Sequence, residues 1–101
     1  MPIHVAIDDK KATITPRGNL DRSIGRAFRE SYELLLCRQR VDRIDVDLGA
    51  VDYVDSSALG YLLILREKTE DAEITVRLVN SQGIVRALLE MAGFHQLFAV
   101  R

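Results

Sequence analysis

Ile3, Val5 and Ile7 alternate with His4 and Ala6, the period of a strand that buries one face. Asp8-Asp9-Lys10 reads as a turn. Ala12 and Ile14 then alternate with Lys11, Thr13 and Thr15 in a second strand, and so short a connection predicts a hairpin. Pro16-Arg17-Gly18-Asn19 breaks the pattern. Asp21 is placed to cap a helix whose apolar face holds Ile24, Ala27, Phe28, Ser31, Leu34 and Leu35, while Arg22, Arg26, Arg29 and Glu33 mostly face water. Ile44, Val46 and Leu48 alternate with Arg43, Asp45 and Asp47 in a third strand. Gly49 to Asp55 reads as a loop, and Ser56 or Ser57 opens a second helix reaching Glu70. Ile74, Val76 and Leu78 alternate with Thr75 and Arg77 in a fourth strand. Ser81 is expected to cap a third helix with Ile84, Val85, Leu88, Leu89 and Ala92 on its inner face, and Gly93 to end it. Phe94, Leu97 and Phe98 fold back as a short strand or an apolar tail.

Strands separated by helices imply parallel pairing through crossovers. A parallel sheet covered on both faces has strands that are apolar throughout. Each strand here keeps one polar face, so the helices belong on one side of the sheet. Right-handed crossovers on one face step in a single direction. Strands two, three and four therefore lie in sequence, with strand one beside strand two. The expected class is α/β: a mixed, mostly parallel sheet of four to five strands with helices mainly on one face, as a single domain over residues 1–101.

Composition narrows the function. The chain has 101 residues, 48% hydrophobic and 29% charged, with a formal net charge of -1. No broad basic field exists to draw nucleic acid or anionic lipid, so neither is expected as a partner. The single cysteine, Cys37, excludes an internal disulfide and fits a reducing compartment. It is expected to pack as a small apolar side chain in the first helix. The longest apolar run, Ala58 to Leu65, is broken by Gly60 and too short to span a bilayer. With no secretory signal at the N-terminus, the expected location is the cytoplasm. No Cys/His cluster has metal-ligand spacing, and no Gly-rich phosphate loop is present, so neither metal nor cofactor is expected.

The informative stretch is Asp55-Ser56-Ser57-Ala58-Leu59-Gly60. A helix starting here has free N–H groups and a partial positive charge. Ser56 suits the N-cap, which leaves the Ser57 hydroxyl in the first turn near solvent. A phosphate there would be welcomed by the dipole rather than unfold the helix. Its effect would fall on a partner, because Asp21, Asp52 and Asp55 already make the surroundings acidic. A serine hydrolase is disfavoured: the surroundings do not match a G-x-S-x-G elbow, and His4 and His95 read as surface or packing residues. No residue is assigned a catalytic role.

The whole chain resembles a STAS domain of the bacterial anti-sigma factor antagonist family. Val54-Asp55-Ser56-Ser57-Ala58-Leu59-Gly60 is similar to the family's D-S-[ST]-[GA]-L-G signature, and Gly18-Asn19-Leu20-Asp21 resembles its G-x-L-D motif. Val85 to Phe94, followed by Leu97-Phe98, resembles its final helix and closing segment. The resemblance implies the one-sided β/α superhelix argued above. It implies that Ser57 is a phosphate acceptor, with Ser56 the runner-up and Asp55, Asp21 and Gly18 supporting the site. It implies a partner-switching cycle in which the unphosphorylated chain binds an anti-sigma factor with serine kinase activity and is released on phosphorylation. A PP2C-type phosphatase would then restore it. Ser56, Ala58, Leu59 and Tyr61 are the expected partner-binding residues, with Arg66 as a further candidate, although Tyr61 could equally cover the edge of the core. Ala58 stands where many members have glycine. The competing expectation is a STAS module that is never phosphorylated, either a scaffold or a subunit docked on a transporter.

Overall fold

The computed structural model describes residues 3–37 and 41–101. The hairpin forms as the alternation predicts: β1 (Ile3–Asp8) pairs antiparallel with β2 (Lys11–Pro16), and Asp9 turns the chain with φ at 56°. Then β3 (Gly18–Leu20) leads through a 3-10 turn at Arg22–Ile24 into α1 (Gly25–Cys37). The chain continues as β4 (Arg43–Asp47), β5 (Val51–Val54), α2 (Ser56–Asp71), β6 (Thr75–Val79), α3 (Gly83–Met91), a second 3-10 turn and β7 (Ala99–Val100). The main sheet has the order β1-β2-β4-β6-β7, parallel from β2 onward. That is the expected stepwise order, with the C-terminal tail supplying the fifth strand.

Register explains the one-sided core. Ala12, Ile44 and Val76 sit side by side across β2, β4 and β6, and so do Ile14, Val46 and Leu78. All six are buried. They lie under Phe28, Tyr32 and Leu35 of α1, Leu62 and Leu65 of α2, and Val85 and Leu89 of α3. On the opposite face the same register aligns Thr13, Asp45 and Arg77. Thr13 and Arg77 keep some exposure, as expected of an uncovered face, but Asp45 does not; it is 5% exposed. Arg77 grips it through Nε at 2.9 Å and Nη2 at 2.8 Å, and Arg43 stands 3.3 Å away. The two guanidinium groups themselves cover the carboxylate, and Arg43 Nε beside it is buried without a hydrogen-bond partner among the described residues.

Several local expectations need correction. Gly18–Leu20 and Val51–Val54 are strands, paired parallel as a small second sheet, not a break and a loop. At three and four residues they are too short to show a period, and Gly18 enters the first at φ +74°, a conformation glycine adopts freely. Tyr32 is buried and Leu34 exposed, because Phe28, Tyr32 and Leu35 at i, i+4 and i+7 define the inner face of α1. Cys37, at the end of α1, is exposed. Ile84 and Ala92 face out, since α3 buries only Val85 and Leu89 fully. Ser81 does not cap α3; Gln82 holds the cap position without a side-chain hydrogen bond, and Ser81 is buried. Gly93 does end the helix region, at φ +75°.

Candidate functional site

The second sheet brings the two sequence motifs together. Leu20 pairs with Val54 across β3 and β5, and the amide of Asp55 donates to the Leu20 carbonyl at 3.1 Å. Asp21 and Asp55 thus follow directly from paired positions and each starts a helical segment. Asp21 accepts from the amide of Ser23 at 2.9 Å and from the Ser23 hydroxyl. Those hydrogen bonds, the hydroxyl's first, hold its carboxyl below the ordinary carboxylate range, so it is ionised near neutrality. Asp55 is the N-cap of α2, its Oδ1 accepting from the amide of Ala58 at 2.9 Å. Aspartate ranks with serine among the best capping residues, and here the aspartate takes the position expected of Ser56.

Ser56 and Ser57 are consequently the first two residues of α2 proper. Their amides have no intrahelical acceptor, as at any helix start. Ser56 is exposed and Ser57 half-buried. Neither hydroxyl is engaged in the capping that Asp55 performs. A phosphate on Ser57 would meet two free amides and the positive end of a sixteen-residue helix. The surface around it is acidic, with Asp21 and Asp52 exposed and Asp55 partly so.

The other expected contact residues divide. Leu59 is partly buried against the core, so part of it reaches the surface. Ala58 is 2% exposed and belongs to the core; the helix turns it inward against Leu20, Ile24 and Leu62, and it offers no surface to a partner. Tyr61 is a brace: its hydroxyl donates to the Arg22 carbonyl at 2.9 Å and ties α2 to the segment after Asp21. Arg66 is engaged with the chain itself, donating from Nε to the Leu97 carbonyl at 2.8 Å and pairing with Glu70 at 3.0 Å. Gly18 shapes the entry to β3 rather than touching the serines. Sequence reasoning misses Tyr53, an exposed aromatic that pairs with Asn19 next to the site. Its signal is a large ring between two aspartates, but so short a strand reads as a loop.

Tyr61 makes Gly25 necessary. A Cβ on Gly25 would stand 2.5 Å from the Tyr61 ring carbon Cζ and 2.6 Å from its hydroxyl oxygen. The ring and its hydrogen bond to Arg22 must then shift. Gly25→Ala should therefore destabilise the domain by about 1–2 kcal/mol, the size of a mild overpacking, despite the better helix propensity of alanine. Urea unfolding measures this; a variant as stable as the parent would show that Tyr61 does not need its seat.

Among the described residues, no helix is long and apolar enough to cross a membrane. The family model described as Mlab, STAS domain, matches residues 3–99. A STAS-domain containing protein of Pseudomonas aeruginosa (strain UCBPP-PA14) is 37% identical over 93 residues, covering 92% of this chain and 90% of that protein. The phosphorylated form of the Bacillus cell fate determinant SpoIIAA superposes with a TM-score of 0.75 at 17% identity, over 98% of this chain and 90% of that one. A sulfate transporter family protein from Wolinella succinogenes superposes at 0.81 with 12% identity, over 94% and 79%. The two structural likenesses establish the fold. The family match and the curated relative, together with the motifs joined by β3 and β5, establish more: this chain belongs to the STAS domain family.

Proposed function

We propose that the chain is an anti-sigma factor antagonist, a switch controlled by phosphorylation of Ser57. The unphosphorylated protein holds an anti-sigma factor that is also its serine kinase; modification of Ser57 releases that partner, and a PP2C-type phosphatase reverses the step. In this reading the chain catalyses nothing. The observation that carries it is the division of labour at the start of α2. Asp55 does the capping, which leaves the half-buried Ser57 free of that role beside free amides on an acidic surface. Ser56 is the second acceptor to consider, being more exposed but lying one position closer to the cap. The docking surface is the α2 start with Ser56 and Leu59, the Asp21 corner and Tyr53.

Intact-mass and phosphopeptide analysis of protein from its native cells tests the reading, with capture of partners from the same extract. Phosphate on Ser57, and a captured kinase-like protein lost on phosphorylation, are the expected results. A second reading is a docking module never modified, as a subunit of a transporter; the fold likeness to the Wolinella succinogenes sulfate transporter family protein is what favours it. An unmodified serine pair in every growth condition, with a transporter component as the captured partner, would decide for that reading.

A further inference from the structure

A half-open groove of about 450 Å³ runs along the outer seam between α1 and α2. Its size lies within the range of small-ligand sites, roughly 300–1,000 Å³. Phe28 and Tyr32 of α1 lie at its base, almost wholly buried, and Ile64 of α2, nearly half exposed, offers its main apolar surface. Tyr61 lines it as well, held by its hydrogen bond to the Arg22 carbonyl and by its seat on Gly25. A wall already held in place costs little ordering when a ligand arrives.

The rim is cationic. Arg26 and Arg29 line it, and no carboxylate does. Arg26 meets Glu30 at 3.4 Å, with both side chains more than half exposed, so the pair is of the weakest kind. Arg29 has no ion-pair partner among the described residues. The groove thus differs in sign from the acidic serine site, although Ser57, Tyr61 and Ile64 fall on one side of α2 at i, i+4 and i+7.

We propose that this groove binds an aromatic carboxylate, its ring against Tyr61 and Ile64 and its carboxylate on Arg29, with Arg26 beside it. The planar guanidinium fork matches a carboxylate in two parallel hydrogen bonds, and the aromatic walls match a ring. An inorganic anion would leave Ile64 and the Tyr61 ring uncovered. A neutral ring would leave Arg29 without a counter-charge. Only a molecule with both parts uses the whole groove.

The test is a titration of the unmodified chain with naphthylacetate and with its uncharged amide, followed by amide NMR shifts up to about 5 mM, the range of weak single-site ligands. Saturable shifts should cluster at Gly25, Arg26, Arg29, Tyr61 and Ile64. The acid should bind about tenfold more tightly than the amide, the worth of one charge-assisted contact at a wet site. Arg29→Gln, an exposed substitution, should bring the acid down to the affinity of the amide. Ile64→Asp should abolish binding of both. No saturable shift, shifts elsewhere on the domain, equal affinity of acid and amide, or an Arg29→Gln variant that still prefers the acid would each overturn the proposal. Because the titration needs neither kinase nor partner, its failure leaves the Ser57 reading intact.

Discussion

Phosphorylation of Ser57 should weaken binding to the protein partner about a hundredfold, and Ser57→Asp about tenfold, while Ser57→Ala leaves binding unchanged. The steps follow from charge. A dianion about 6 Å from a partner carboxylate, at an effective dielectric of about 40, costs roughly 3 kcal/mol before screening. A single negative charge at the same place costs about half as much, and each step of about 1.4 kcal/mol is a factor of ten in affinity. Raising the salt should compress the series, since the Debye length at physiological ionic strength is about 8 Å. Titration calorimetry with the captured partner reads all three forms.

The same substitutions should leave the domain folded, which separates a switch from a lesion. Ser57 is in the first turn of α2, where the helix dipole favours negative charge by about 0.3–1 kcal/mol. Ser57→Asp should therefore melt no lower than the parent. Equal binding by the alanine and aspartate forms of Ser57 would remove the electrostatic basis of the proposal.

How much of the molecule is legible in its sequence depends on segment length and on competition between residues. Long elements announce themselves: the alternation in Ile44–Val46–Leu48 and Ile74–Val76–Leu78 gives both the strands and the one-sided sheet. β3 and β5 cannot, because three or four residues hold no period, and their pairing is a long-range fact. Yet it is this pairing that sets Asp21 beside Asp55 and makes one site of two motifs. The cap is read onto Ser56, but aspartate caps as well as serine, and geometry gives the Ala58 amide to Asp55. Tyr61 reads either as a surface contact or as a cover for the edge of the core; its hydroxyl's partner, Arg22, lies thirty-nine residues away in the chain. Alternation identifies the polar positions on the open face, but it cannot say that a carboxylate among them is covered by its neighbours.

That covered carboxylate carries the largest stability effect expected in the domain outside its apolar core. Asp45→Ala should cost about 2–3 kcal/mol, the range for losing charge-assisted hydrogen bonds from a covered site. The figure is set below that of a fully buried pair because Arg77 and Arg43 retain 27% and 37% exposure and stay partly hydrated once the carboxylate is gone. In a domain of this size such a loss lowers the melting temperature by on the order of 10–20 °C. The double replacement Asp45→Leu with Arg77→Met should recover much of it, because a matched apolar pair needs no compensation for desolvation. Acid supplies an independent check. The hydrogen bonds from Arg77 hold the Asp45 carboxyl below its ordinary value; burial opposes them, and the charges of Arg77, Arg43 and Lys11 assist. A carboxyl whose folded value is depressed stabilises the fold above its unfolded pKa of about 3.9 and gives that up as the pH falls through the folded value. The parent should therefore lose stability on acidification below about pH 4 more steeply than the doubly substituted protein, whose apolar pair has no proton to take up. Parallel acid profiles for the two proteins would mean that Asp45 and its arginines contribute packing alone.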